Sequence, residues 1–102
     1  MIGLTGTRRR DMFRLWGKIY KNGHMTMDTV IEIEGSELTR TMKVFEALRL
    51  VCEQFDLAVP IWLDSTVNDF KRHAKCRFTQ DNFIEHIDFD CLEISMLEED
   101  PF

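Results

Sequence analysis

Two runs of alternating residues flank Asn22-Gly23, and this pattern constrains the fold more than any other feature of the chain. In residues 12–21, Phe13, Leu15, Gly17 and Ile19 share one face, and Arg14, Trp16, Lys18 and Tyr20 share the other. In residues 25–34, Met25, Met27, Thr29, Ile31 and Ile33 alternate with Thr26, Asp28, Val30, Glu32 and Glu34. Asn-Gly between two such runs is a strong hairpin signal. Residues directly opposite each other must lie on the same face of the sheet, so their numbers must sum to an even value. A two-residue Asn22-Gly23 loop gives odd sums. A three-residue Asn22-Gly23-His24 loop gives 46 and predicts Phe13 opposite Ile33, Leu15 opposite Ile31 and Ile19 opposite Met27. On the outer face the same register sets Arg14 beside Glu32, Lys18 beside Asp28 and Trp16 beside Val30, two opposite-charge pairs and one aromatic–aliphatic pair.

Beyond the hairpin, Gly35-Ser36 breaks the strand, and Ser36 is the expected N-cap of a helix over 37–55. Leu38, Met42, Phe45, Leu48, Cys52 and Phe55 repeat at spacings of three and four and form its expected core stripe. Pro60 forbids continuation. Asp64-Ser65 predicts the start of a second helix over 65–74 that buries Val67, Phe70 and Ala74. Residues 75–78 read as a short strand or extended chain, and Thr79 caps a brief turn. Residues 90–98 alternate as a last strand, with Leu92, Ile94 and Met96 inward and Cys91, Glu93 and Ser95 outward. The basic outward residues of the first strand and the outward Glu93 predict that these two strands are neighbours. The order β-β-α-α-(β)-β predicts an α+β fold, a small, mostly antiparallel sheet with two helices on one face. Residues 1–11 read as a flexible basic extension, 12–98 as one domain and 99–102 as a frayed acidic end. Met42 and Trp62 read as core.

The charge is segregated. The chain carries a formal net charge of −5, but residues 1–21 hold six bases against Asp11 alone, and residues 81–102 hold eight acids and no Lys or Arg. Such a balance argues against a dedicated nucleic-acid binder. No run of 18 apolar residues and no apolar signal segment occurs, so neither a membrane span nor export is expected. Three cysteines, an odd number with no CxxC, suggest reduced thiols in a cytoplasm.

These residues admit four kinds of chemistry. His73, Cys76, His86 and Cys91 are zinc-ligand types, but their spacing matches no familiar zinc pattern. His86, Asp88 and Asp90 alternate as oxygen and nitrogen donors, although turn hydrogen bonding explains the two aspartates as well. Cys76 beside His73 is a permitted but unspecific nucleophile pair, and no hydrolase elbow, phosphate loop or dinucleotide fingerprint occurs. Nucleic-acid contact draws on Arg14, Trp16, Lys18 and Tyr20, cations interleaved with rings, and on a second basic strip of Lys71, Arg72, Lys75 and Arg77. Against it, Asp28 and Glu32 neutralise the first set. Protein contact draws on Trp16, Tyr20 and Val30 rimmed by paired charges on the sheet face away from the helices. The competing reading has residues 79–89 fold over that face.

The segments Arg14-Leu15-Trp16-Gly17-Lys18, Thr39-Arg40-Thr41-Met42-Lys43-Val44-Phe45, Pro60-Ile61-Trp62-Leu63 and Phe78-Thr79-Gln80-Asp81-Asn82-Phe83, with the turn Ile87-Asp88-Phe89-Asp90, resemble a group of short bacterial proteins, mainly of anaerobic Gram-positive species. The resemblance runs from about Met12 to Glu99 and implies a bacterial cytoplasmic setting. No activity goes with that group, so it transfers no functional residue. The expectation is a small intracellular interaction or self-association module with a protein partner or a second copy. The alternatives are a nucleic-acid-contacting accessory protein, and a small enzyme or metal site near His73, Cys76 and His86. No cofactor is expected.

Overall fold

The computed structural model describes residues 12–34 and 38–98. Strand β1 (Phe13–Lys21) and strand β2 (His24–Ile33) form the hairpin. Helix α1 (Arg40–Phe55) and helix α2 (Asp64–His73) follow, then strand β3 (Lys75–Phe78), a 3₁₀ turn at Gln80–Asn82 and strand β4 (Cys91–Glu98). The four strands form one sheet in the order β2-β1-β4-β3, and each neighbouring pair is antiparallel. The α+β fold and the adjacency of the first and last strands are as the sequence predicts.

The hairpin keeps the expected pairing but not the expected loop. Phe13↔Ile33 through Ile19↔Met27 all hold. The register then shifts, so that Tyr20 meets Met25 and Lys21 meets His24. The connection is therefore two residues, Asn22 (φ 55°) and Gly23 (φ 81°), both left-handed as a type I′ turn requires. Thr26 is the extra residue. Its hydroxyl donates to the Ile19 carbonyl at 3.3 Å, inside the bulge. A two-residue turn plus one bulged residue satisfies the parity condition as well as a three-residue loop does. One consequence is a correction: Met25 falls on the Tyr20 side of the sheet, not the helix side.

Helix α1 begins later than the spacing suggests. Thr39 is the N-cap, accepting from the Met42 N–H at 3.2 Å; Ser36 lies outside the described residues. At the other end Asp56 adopts the left-handed conformation, and Leu57 N–H reaches the Cys52 carbonyl at 2.8 Å, a Schellman closure. The buried residues are Lys43, Val44, Ala47, Leu48, Val51 and Cys52. Met42 and Phe45, expected inside, are 53% and 52% exposed. The cause is close packing on β1: a Cβ built on Gly17 would stand 2.6 Å from Val51 Cγ1. Small side chains therefore face the sheet, and the larger Phe45 is turned to the flank, 6.0 Å from the Trp62 ring.

Helix α2 starts one residue earlier than expected and buries Thr66 and Phe70, with Val67 only half-buried. Asp64 in its first turn and Lys71, Arg72 and His73 in its last suit the helix dipole. Trp62 stands edge-on to Phe70 and Phe78, with centroids 6.0 and 5.0 Å away. These rings and the inward residues of all four strands make one core between sheet and helices. Buried Asn82 donates to Thr66 Oγ1 at 3.0 Å and to the Ile61 carbonyl at 2.8 Å, tying the 3₁₀ turn to α2 and to the segment before it. The terminal segments 1–11 and 99–102 lie outside the described residues.

Candidate functional site

The face of the sheet away from the helices is built by strand parity. Strand β1 contributes Arg14, Trp16, Lys18 and Tyr20; β2 contributes Asp28, Val30 and Glu32; β4 contributes Cys91, Glu93 and Ser95; and β3 contributes Lys75 and Arg77. Because β1 and β3 both flank β4, Lys18 and Arg77 converge on Glu93 from opposite sides. Lys18 Nζ lies 3.0 Å from Glu93 Oε1, and Arg77 Nε donates to Oε2 at 3.2 Å. Both members of the first pair are nearly sealed, Lys18 being 8% and Glu93 3% exposed. Burial alone would raise the Glu93 carboxyl, but hydrogen bonds from Lys18 and Arg77, with their charges, hold it below the usual value. The same bond raises the Arg77 guanidinium above its usual value.

Aromatic rings flank this ionic row. Lys18 Nζ sits 4.0 Å from the Trp16 ring centroid, and Arg77 Cζ lies 5.8 Å from that of Tyr20. The Trp16 indole N–H donates to Asp28 Oδ2 at 2.9 Å, and Arg14 Nε pairs with Glu32 at 3.3 Å. Asp28 stands opposite Lys18 in register as expected, yet it serves the indole while Lys18 turns to Glu93. The residues Asp28, Trp16, Lys18, Glu93, Arg77 and Tyr20 thus form one connected row across all four strands.

Comparison with known protein families, with curated proteins and with solved structures yields no match to this chain. The site must be read from its own geometry.

The structure merges two candidates that the sequence keeps apart. Lys75 and Arg77 lie on the same face as Trp16 and Tyr20, while Lys71 and Arg72 are exposed in the last turn of α2. The sequence names Glu93 as outward but gives no hint that it is the centre, since a four-residue β3 carries too little pattern to place. Residues 79–89 do not belong to this face. Phe83 is part of the core cluster, Ile87 and Phe89 pack against it, and Phe83 and Phe89 stand edge-on at 5.9 Å. Val30 remains exposed.

The metal and nucleophile candidates separate. Cys76 points into the core, whereas Cys91 lies opposite Tyr20 on the other side of the sheet. His73 is exposed at the end of α2. His86 lines a half-open cleft of about 300 Å³ between the end of α1 and the segment 83–89. Among the described residues no three His, Cys, Asp or Glu side chains are placed to hold a metal ion. Asp90 is occupied structurally: its carboxylate accepts from the Gly23 N–H at 3.2 Å, and its own N–H donates to the Tyr20 carbonyl at 2.8 Å. Burial, aided by the charges of Asp69 and Glu93, pushes the Cys76 thiol up to about 12, and burial pushes Cys52 up to about 11. A thiol so held supplies no thiolate near neutral pH. None of the described helices is long and apolar enough to cross a membrane.

Proposed function

We propose that this chain is a small interaction module of the bacterial cytoplasm, binding a protein partner or a second copy through the outer sheet face around Trp16, Tyr20 and Val30. The observation that carries the reading is the internal pairing of three of the four cations on that face, Arg14, Lys18 and Arg77. Arg14 is engaged by Glu32, and Lys18 and Arg77 by Glu93. Nucleic-acid binding relies on cations free to neutralise phosphates and displace the counterions condensed on them, and these three are already neutralised within the sheet. What the face offers instead is ring edges, an exposed valine and satisfied charges, the composition of an interface centre and rim.

Binding is tested by sedimentation against concentration and by capture of partners from a bacterial lysate, using the wild type and Tyr20→Ala and Val30→Asp variants whose folding is confirmed by circular dichroism. Loss of association or capture in both variants is expected. Undiminished binding in both removes this face from consideration. Salt-dependent retention of the wild type on single-stranded nucleic acid, lost in the same variants, would establish the nucleic-acid reading in its place.

A further inference from the structure

Among the described residues the order β2-β1-β4-β3 leaves β2 and β3 as the edges of the sheet, and the two edges carry opposite charge. Strand β2 holds Asp28 and Glu32 with no Lys or Arg, and Glu34 follows directly. Strand β3 holds Lys75 and Arg77 with no acid, and Lys71 and Arg72 precede it in the last turn of α2. All seven of these residues are exposed. We propose that copies of this chain associate head to tail, the β3 edge of one copy pairing antiparallel with the β2 edge of the next. The contact runs through the backbone edges of the sheet rather than over Trp16 and Tyr20, so Lys75→Glu tests it apart from the reading above.

Three features of the strands select this arrangement. First, every neighbouring pair in the sheet is antiparallel. A β2 laid antiparallel on β3 therefore continues the alternation of directions and keeps the helices of both copies on one side.

Second, parity fits. Lys75 and Arg77 lie on the outer face, as do Asp28, Val30 and Glu32. A same-face register that sets Arg77 opposite Asp28 sets Lys75 opposite Val30, with Glu32 on its diagonal, within reach of a long side chain. On the helix side it sets Met27 over the end of β3, where Phe78 is sealed within its own core.

Third, like edges repel. Pairing β2 with β2 about Val30 puts Asp28 against Glu32, and pairing β3 with β3 about Cys76 puts Lys75 against Arg77. A two-fold dimer through either edge opposes equal charges, and the head-to-tail join opposes unlike ones.

Asp28 and Glu32 keep their internal partners Trp16 and Arg14, and the Glu32 side chain is still 54% exposed. Arg77 engages Glu93 through Nε, and its side chain is 64% exposed. The charges therefore choose the partner edge, while the backbone ladder holds it. A β3 of four residues limits that ladder, which places the association at the weak end of specific contacts.

Sedimentation of the wild type at rising concentration tests the proposal. The expected result is an average mass that climbs with concentration past that of a dimer, because a head-to-tail contact does not close on itself, and that falls at high salt. Lys75→Glu and Glu32→Lys should each weaken association by roughly tenfold, and an equimolar mixture of the two variants should recover it. Circular dichroism confirms that each variant is folded; Lys75→Gln and Glu32→Gln replace any that is not, with a smaller loss expected. Ile84→Ser, an exposed side chain that lies on neither edge nor on the outer face, should leave association unchanged. The proposal is overturned by a mass independent of concentration, by association that Lys75→Glu and Glu32→Lys leave intact, by a mixture no better than its components, or by association that Ile84→Ser abolishes.

Discussion

Gly17 on β1 and Val51 on α1 pack so closely that no side chain fits between them: a Cβ on Gly17 would lie 2.6 Å from Cγ1 and 3.0 Å from Cγ2 of Val51. Gly17 sits in the central part of a strand that is hydrogen-bonded on both sides, where glycine by itself is unfavourable. Its presence is explained by the approach of the helix. Gly17→Ala should therefore destabilise the fold by about 1–3 kcal/mol, despite the better strand propensity of alanine. Urea denaturation measures this. In the Gly17→Ala background, Val51→Ala should cost less than it does in the wild type, because the two residues share one space. Additive losses would show that the contact is not the cause.

The same contact explains why one part of the core was legible in the sequence and another was not. In a strand, alternation assigns every residue to a face, and Phe13, Leu15, Ile19, Ile31 and Ile33 are buried as the alternation requires. A helical stripe leaves its rotation open by about one position. Met42-Phe45 and Val44-Ala47 satisfy the same spacing, and only the depth of the groove at Gly17 decides between them. The outer face divides in the same way. Arg14 with Glu32 follows from the hairpin register alone, whereas the Lys18–Glu93–Arg77 row needs the placement of β3, a strand too short to announce its neighbours.

Ala74 ends α2 in the left-handed region, at φ 59° and ψ 25°, with its N–H on the Phe70 carbonyl at 2.9 Å. Alanine pays a steric penalty there that glycine does not. Its carbonyl accepts from Met96 N–H at 2.8 Å, a backbone bond that does not depend on the side chain. Ala74→Gly should raise stability by about 1 kcal/mol. A higher thermal midpoint in calorimetry checks it, and a lower one would mean that the half-buried methyl group matters more than the backbone strain.

Glu93 makes stability depend on acid. Its folded pKa lies below the ordinary glutamate value because Lys18 and Arg77 favour the charged form over the opposing effect of burial. A carboxyl depressed on folding contributes stability that is fully present above its unfolded pKa and is lost as pH falls through the folded one. The wild type should therefore lose stability below the ordinary glutamate range. Glu93→Gln should flatten that acid limb. At neutral pH the same substitution leaves the nearly buried Lys18 without its carboxylate and should cost about 3 kcal/mol. Denaturation midpoints of both proteins across a pH series measure the two effects together. Parallel curves would show that Glu93 is not the titrating group.

The bulge at Thr26 makes the hairpin testable by deletion. With Asn22-Gly23 as a two-residue turn, Lys21 pairs with His24 and Tyr20 with Met25; skipping Thr26 then lets Ile19 meet Met27. Removing Thr26 leaves every one of these pairs on its present face and converts the bulge to regular ladder. Deletion of Thr26 should therefore be tolerated, at a loss of about 1 kcal/mol or less, for the hydroxyl bond to the Ile19 carbonyl. Removing Thr29 also shortens β2 by one residue, but the chain can then absorb the change only by turning residues 26–28 over. Asp28 would move to the helix side, the Trp16 indole would lose its acceptor, and a carboxylate would face the Gln54 side of α1. That deletion should cost several times more than the first. Urea midpoints of the two single-residue deletions decide the matter: equal losses would mean that the turn has three residues after all and that Thr26 is an ordinary member of the strand.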